Sequence, residues 1–169
     1  MQNYIKSLST NIVLIGFMGS GKSSIARELH RLSGAFILDS DEIISFNENL
    51  SIPQIFSEFS EEYFRELESK FCAFIKSCVN GAIISTGGGM PLFCDVKPLG
   101  IVFFLDASFE TILSRLDENE LNKRPLFKDK DSAFKLYKKR LEFYKRSAHF
   151  CIDANRDKEI IAKEILQKL

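Results

Sequence analysis

The chain reads as a three-layer α/β domain, with about five parallel strands flanked by helices. Two observations predict this class. Short apolar runs rich in branched residues alternate along the chain with stretches of helical period. Each run is also almost continuously apolar, the pattern of a strand buried on both faces, which parallel sheets require.

In chain order, the strands are expected at Asn11–Ile15, Ala35–Leu38, Ala82–Ser85, Ile101–Leu105 and Phe150–Asp153. A helix opens near Lys22, behind the first strand. Ser51 and Gln54 form a capping box for a short helix. Phe64, Leu67, Phe71, Phe74 and Cys78 recur at three- and four-residue steps, and Ser60-Glu61-Glu62 suits that helix's N-terminus. Phe109, Ile112, Leu113 and Leu116 make a further stripe, and Phe134, Tyr137, Leu141 and Tyr144 another. Ile161 and Ile165 mark a last amphipathic helix. Asp117–Asp131 breaks the rhythm: it is mostly charged and has Arg124-Pro125 at its middle. Proline pushes the preceding residue out of the helical region, so Arg124 is expected in an extended loop. A connection this long is either a functional lid or a linker.

Composition narrows the function. The 169 residues suit one domain, 1–169, with the lid at about 117–131. Lys plus Arg total 23 and Asp plus Glu total 23, which argues against a nucleic-acid binder driven by bulk charge. Cys72, Cys78, Cys94 and Cys151 lack CxxC spacing, and His30 and His149 lie far apart, so a zinc module is not indicated. The cysteines read as reduced, mostly buried thiols. Met1–Thr10 has no apolar run behind a basic start, and Ile12–Met18 is too short to cross a bilayer. A cytoplasmic protein with no membrane partner is expected, and a monomer.

Three polar segments carry the chemistry. Gly16-Phe17-Met18-Gly19-Ser20-Gly21-Lys22-Ser23 fits G-x-x-x-x-G-K-S/T, between a strand and a helix. Its backbone N–H groups can turn inward around phosphates while the helix N-terminus adds partial positive charge. Lys22 would reach the outer phosphates, and the Ser23 hydroxyl would ligate Mg²⁺. Asp39-Ser40-Asp41 ends the second strand and Ser85-Thr86-Gly87-Gly88-Gly89 the third, so all three segments meet at the carboxyl edge of the sheet, where such folds bind ligands. Asp39 could hold a Mg²⁺-bound water. Asp41 could orient an acceptor hydroxyl, take its proton, or simply cap the next helix. The consecutive glycines imply either a close approach of backbone to something or a plain loop. Arg65 and Arg140 border apolar helical stripes, where a guanidinium can reach into a crevice or stay solvated. Arg124, in the lid, could neutralise charge on a phosphoryl group in transit. These residues together point to Mg²⁺-dependent phosphoryl transfer from ATP to a small acceptor.

In order along the chain stand G-x-x-G-x-G-K-S, D-x-D, F-R-x-x-E, S-T-G-G-G and R-P-L, at Gly16–Ser23, Asp39–Asp41, Phe64–Glu68, Ser85–Gly89 and Arg124–Leu126. This combination resembles the shikimate kinases, from Asn11 to the last helix. The resemblance implies a P-loop kinase fold like that of nucleoside monophosphate kinases, with ATP phosphorylating the 3-hydroxyl of shikimate on the route to aromatic amino acids. It implies ATP binding by Gly19, Ser20, Gly21, Lys22, Ser23, Ser24, Arg115 (flanking the adenine) and Arg124. It implies shikimate binding by Asp41, Arg65, Gly87, Gly88, Gly89 and Arg140, and catalysis by Lys22, Asp41 and Arg124. Two departures stand out. The family's Arg-Pro-Leu-Leu ends here in Phe127, and the loop after Ile152-Asp153 lacks the proline often found there, which leaves a role for Arg156 at the adenine open. The alternatives are another small-molecule kinase of the same fold, acting on gluconate or a nucleotide, and a nucleotide-binding switch module that transfers nothing.

Overall fold

A computed structural model describes residues 8–116, 127 and 129–169. Five strands form one parallel sheet: β1 (Ile12–Ile15), β2 (Ile37–Asp39), β3 (Ile83–Ser85), β4 (Ile101–Asp106) and β5 (Phe150–Asp153), in the spatial order β2-β3-β1-β4-β5. The described helices are α1 (Lys22–Ser33), α2 (Ser40–Glu48), α3 (Ile52–Glu58), α4 (Glu61–Cys78), α5 (Met90–Phe93), α6 (Phe109–Ser114), α7 (Lys130–Ser147) and α8 (Lys158–Gln167). None of them is long and apolar enough to cross a membrane.

The predicted class and strand count are observed. β1 sits at the centre of the sheet, and all four of its residues are fully buried, as its unbroken apolar run demands. At the amino edge, the Asn11 side chain donates to the carbonyls of Val79 and Leu99 and accepts from the Ala82 N–H, locking the starts of β3 and β4 around β1. The edge strand β2 begins two residues later than expected. Phe36 is 80% exposed, and the Cα pairing with β3 starts at Ile37 opposite Ile83; Phe36 joins the ladder through its carbonyl, which accepts from the Ile83 N–H at 2.8 Å. The capping signals held: Ser60 accepts from the Tyr63 N–H, and Gln54 accepts from the Ser51 N–H at 2.9 Å.

Other expectations fail, among them burial of β5 on both faces, since Phe150, Cys151 and Asp153 are exposed there. On α4 the buried face is Phe64, Leu67, Glu68, Phe71, Cys72 and Ile75, while Phe74 and Cys78 are exposed. A glutamate and a cysteine therefore take places on the inner face. The cysteines are not mostly buried either: Cys72 is, Cys94 is half-buried, and Cys78 and Cys151 are exposed.

Register places the site. Asp39 pairs with Ser85, and Ser85 with Leu14, so the carboxyl ends of β2, β3 and β1 finish level. At about 4.8 Å between neighbouring strands, three such ends span about 10 Å. The Thr86 N–H and hydroxyl both donate to the Leu14 carbonyl, and the Gly87 N–H donates to Ser40 Oγ at 2.8 Å. The loop after β3 is thereby tied to the ends of both neighbours.

Candidate active site

The loop Gly16–Ser23 leads from β1 into α1 as its motif requires. Gly21 is the N-cap at φ 98°, a left-handed conformation suited to glycine, and no side chain caps the helix. The first-turn N–H groups are thus left for an anion. Lys22 Nζ donates to the carbonyls of Gly16 (2.8 Å) and Phe17 (3.1 Å), arching back across its own loop. Ser23 and Ser24 are exposed, and Ser20 Oγ is buried without a hydrogen-bond partner. Arg115 donates to the Ser20 carbonyl at 3.3 Å and to the Ala154 carbonyl at 2.7 Å, spanning from the phosphate loop to the turn after β5. Arg156, by contrast, is committed to Asp153 and Glu164.

The two aspartates divide their roles differently from the expectation. Asp39, not Asp41, caps α2: its Oδ1 accepts from the N–H groups of Asp41 (3.0 Å) and Glu42 (3.3 Å). This leaves Asp41 free of that duty in the first turn, where Ser40 donates to its Oδ1 at 3.4 Å. Burial, then the nearby charge of Asp39, raises the Asp41 pKa, while Lys22 and Arg65 pull against them. The result is a carboxylate that holds a proton better than a solvated one.

The three glycines run through the middle of the site. A Cβ on Gly87 would stand 2.5 Å from Asp41 Oδ1 and 3.3 Å from Glu68 Oε1; one on Gly89 would stand 2.9 Å from an Arg65 guanidinium nitrogen. On Gly88 it would meet the Met18 nitrogen at 3.4 Å and the Gly16 carbonyl at 3.6 Å, both in the phosphate loop. Backbone does approach other groups closely here, at Gly87 and Gly89 most of all.

Arg65 and Arg140 both reach the crevice. Arg65 spans Glu61 (2.7 Å) and Glu68 (2.7 Å), and its guanidinium lies 4.1 Å from the centre of the Phe93 ring. Arg140 donates to the Gly88 carbonyl at 3.4 Å and keeps a buried Nε without a partner. That unfilled donor fits a carboxylate ligand. Tyr144 donates to the same Gly88 carbonyl at 2.6 Å, fully buried and stacked on Phe104. Burial pushes its phenol up to about 12, so it donates throughout the physiological range.

Glu68 is fully buried, with Oε1 unpartnered toward Gly87, and burial outweighs the attraction of Arg65 to raise its pKa to about 7. Glu68, Tyr144 and Ser40 were not assigned roles from sequence. A glutamate three residues after Arg65 on an apolar helix face was the visible signal for the first; nothing in the chain marks where the Tyr144 hydroxyl ends. Of the expected site residues, Lys22, Asp41, Arg65, Gly87–Gly89 and Arg140 lie around one crevice, with Arg115 against the Ser20 carbonyl of the glycine-rich loop. Arg124 and residues 117–126 of the expected lid, with residue 128, lie outside the described residues. Phe127, the departure from Arg-Pro-Leu-Leu, is buried edge-on against Phe17 of the phosphate loop.

A family model described as shikimate kinase matches residues 18–169. The chain belongs to the shikimate kinase family. The shikimate kinase of Helicobacter hepaticus (strain ATCC 51449 / 3B1) is 47% identical over 157 residues, covering 93% of this chain and 94% of that protein. A solved structure of the Acinetobacter baumannii shikimate kinase in complex with shikimate matches with a TM-score of 0.84 and 31% identity, covering 96% of this chain and 93% of that one. A gluconokinase from Sinorhizobium meliloti 1021 matches at a TM-score of 0.56 and 15% identity over 96% of this chain and 92% of that one, a likeness of fold alone. Membership makes the protein an ATP-dependent kinase of a small molecule, and the rival families share only its architecture.

Proposed function

We propose that this protein transfers the γ-phosphoryl group of ATP to the 3-hydroxyl of shikimate, forming shikimate 3-phosphate and ADP. The observation that carries this reading is the path of Gly87–Gly89. That segment touches the base candidate Asp41 at one end and Arg65 at the other, with the phosphate loop and Arg140 beside Gly88. A hydroxy acid lying along it would direct its carboxylate to the arginines and a hydroxyl to Asp41.

Arg65 and Arg140 hold the carboxylate, and the glycine backbone lines the ring. Asp41 accepts the hydrogen bond of the 3-hydroxyl and aims its oxygen at the γ-phosphorus. As the new O–P bond forms, the bond to the ADP oxygen breaks, and the hydroxyl proton passes to Asp41. Lys22 turns from the Gly16 and Phe17 carbonyls to the outer phosphate oxygens, with the Gly19–Ser24 backbone around the inner ones. Arg115 flanks the adenine, and Arg124 attends the transferred group.

Magnesium fits this donor set. Ser23 stands exposed in the first turn of α1, and magnesium is held by one or two side chains together with substrate phosphates and water. Ser23 would supply a hydroxyl ligand and Asp39 would hold a bound water; the ion neutralises phosphate charge when present. We place the enzyme in the cytoplasm as a single-domain monomer, on the route to chorismate and the aromatic amino acids.

ADP release from Mg·ATP with shikimate, gluconate and nucleoside monophosphates, tested side by side, checks the proposal. Turnover with shikimate alone is expected. Turnover only with another acceptor would overturn the substrate, and ATP binding without turnover on any acceptor would favour the switch module.

A further inference from the structure

Beside the crevice, Phe93 ends the short helix α5, whose first two residues, Met90 and Pro91, are buried. The Leu92 N–H donates to the Gly89 carbonyl at 3.0 Å and the Cys94 N–H to that of Met90 at 2.9 Å, so the turn after the glycine loop is fixed by its own backbone. Phe93 itself is 54% exposed and lies outside the buried core. Its ring is nonetheless occupied: the central carbon of the Arg65 guanidinium stands 4.1 Å from the ring centre. At that distance the negative face of the ring attracts the cation. The terminal nitrogens of the same group reach Gly89, where an added Cβ would meet them at 2.9 and 3.1 Å. Phe93 follows Gly89 by one helical turn, so a single short element sets both contacts.

The edges of the guanidinium are used differently from its face. Glu61 accepts from Nε at 3.2 Å and from Nη2 at 2.7 Å, and Glu68 accepts from Nη1 at 2.7 Å. Among the described residues these bonds leave one N–H on each terminal nitrogen, enough for the two parallel bonds that clamp a carboxylate. Stacking on Phe93 consumes no N–H group. It fixes the guanidinium without competing with an acceptor, as a third carboxylate would. On its outer side Arg65 lines an open depression of about 800 Å³ together with Glu61, Glu62 and Glu66. A guanidinium released from the ring has both space and negative charge to draw it that way, out of the crevice.

We propose that Phe93 is a positioning residue for the acceptor: its ring holds the Arg65 guanidinium by the face, with an N–H on each terminal nitrogen presented to the acceptor carboxylate. This role rests on Arg65 binding that carboxylate, as proposed above. The carboxylate takes no part in bond making or breaking, so its grip is the same in the ground state and the transition state. Loss of the ring therefore acts on KM rather than on kcat.

The test compares Phe93→Leu, which keeps an apolar side chain without a ring face, with Phe93→Tyr, which keeps the ring. Phe93→Leu is expected to raise the KM for shikimate about fivefold, equivalent to ~1 kcal/mol, with kcat within about twofold and the KM for ATP unchanged. Phe93→Tyr should hold the KM for shikimate within about twofold of wild type. Because the ring is half-exposed, Tm should move by no more than ~2 °C in either variant. Arg65→Ala should raise the KM for shikimate on its own, and adding Phe93→Leu to it should change nothing further. A wild-type KM in Phe93→Leu beside an impaired Arg65→Ala would overturn the role of Phe93. So would a fivefold rise that persists when Phe93→Leu is added to Arg65→Ala, or one that Phe93→Tyr shows equally. An unchanged KM in Arg65→Ala would instead overturn the acceptor role of Arg65, and that of Phe93 with it.

Discussion

Replacing each glycine of Gly87–Gly89 by alanine, one at a time, should give three different kinetic signatures. None of the three has positive φ, so alanine adds a methyl group without backbone strain. At Gly87 the methyl carbon would fall 2.5 Å from Asp41 Oδ1, whereas comfortable contacts begin at about 3.5 Å, so the carboxylate must retreat by about 1 Å. A reacting group misplaced by that much costs roughly a hundredfold in rate. Overpacking a buried position should also destabilise the fold by about 1–3 kcal/mol, at ~2–4 °C of Tm per kcal/mol. At Gly88 the nearest atom is 3.4 Å away, an ordinary contact, and kcat should stay within about fivefold of wild type. At Gly89 the obstacle is the end of a long arginine side chain, 2.9 Å away, so Arg65 should shift and the KM for the acceptor should rise more than kcat falls. The assay is coupled ADP release, with thermal unfolding of each variant as the control for folding. If Gly87→Ala matched Gly88→Ala in kcat, Asp41 would not be the group whose position sets the rate.

Lys22→Ala should remove most turnover while leaving Tm within a few degrees, and near-normal rates would refute the phosphate assignment. Glu68 should make acceptor binding pH-dependent. Its pKa, raised to about 7 from 4.5, means that its protonated form is the one the fold favours. That stabilisation is fully present below about pH 4.5 and lost as pH rises through about 7, and at ~1.36 kcal/mol per unit it amounts to about 3 kcal/mol. A bound carboxylate nearby favours the proton further, so the KM for shikimate should climb from pH 6 to pH 8, and Glu68→Gln should flatten the profile. A slope unchanged in Glu68→Gln would assign it elsewhere. Tyr144→Phe removes the 2.6 Å bond to the Gly88 carbonyl, which leaves Arg140 as the remaining described donor there. Arg140 should then be drawn from the acceptor, raising the KM for shikimate by about tenfold for ~1.4 kcal/mol while the KM for ATP holds. Equal changes in both constants would indicate general loosening instead.

Much of this architecture was legible because its signals are local. The phosphate loop is eight consecutive residues between an apolar run and a helix, and each strand buried on both faces carries its own apolar run. The edge strand shows where locality ends: Ala35 and Phe36 look like strand, but Phe36 lends its carbonyl to the Ile83 N–H while its side chain stays exposed. The layout of the candidate site was legible where a motif is contiguous, as at Gly16–Ser23 and Gly87–Gly89. It was not where the partner is distant in the chain. The cap on α2 fell to Asp39 rather than Asp41, a choice made by backbone dihedrals at a single residue. Tyr144 read as one more aromatic on a helical stripe, yet its hydroxyl pins a carbonyl 56 residues away. Glu68 stands three residues from Arg65, but its raised pKa follows from burial beneath the glycine loop, a fact of packing alone.

The most direct measurement of the central claim is NMR of the product formed from Mg·ATP and shikimate, with ³¹P to detect the new phosphate ester and ¹H to locate it. A single monoester on the 3-hydroxyl, formed alongside ADP and absent with Lys22→Ala, is the predicted result. Inorganic phosphate with shikimate unaltered, or an ester on a different hydroxyl, would contradict the placement of the acceptor against Asp41.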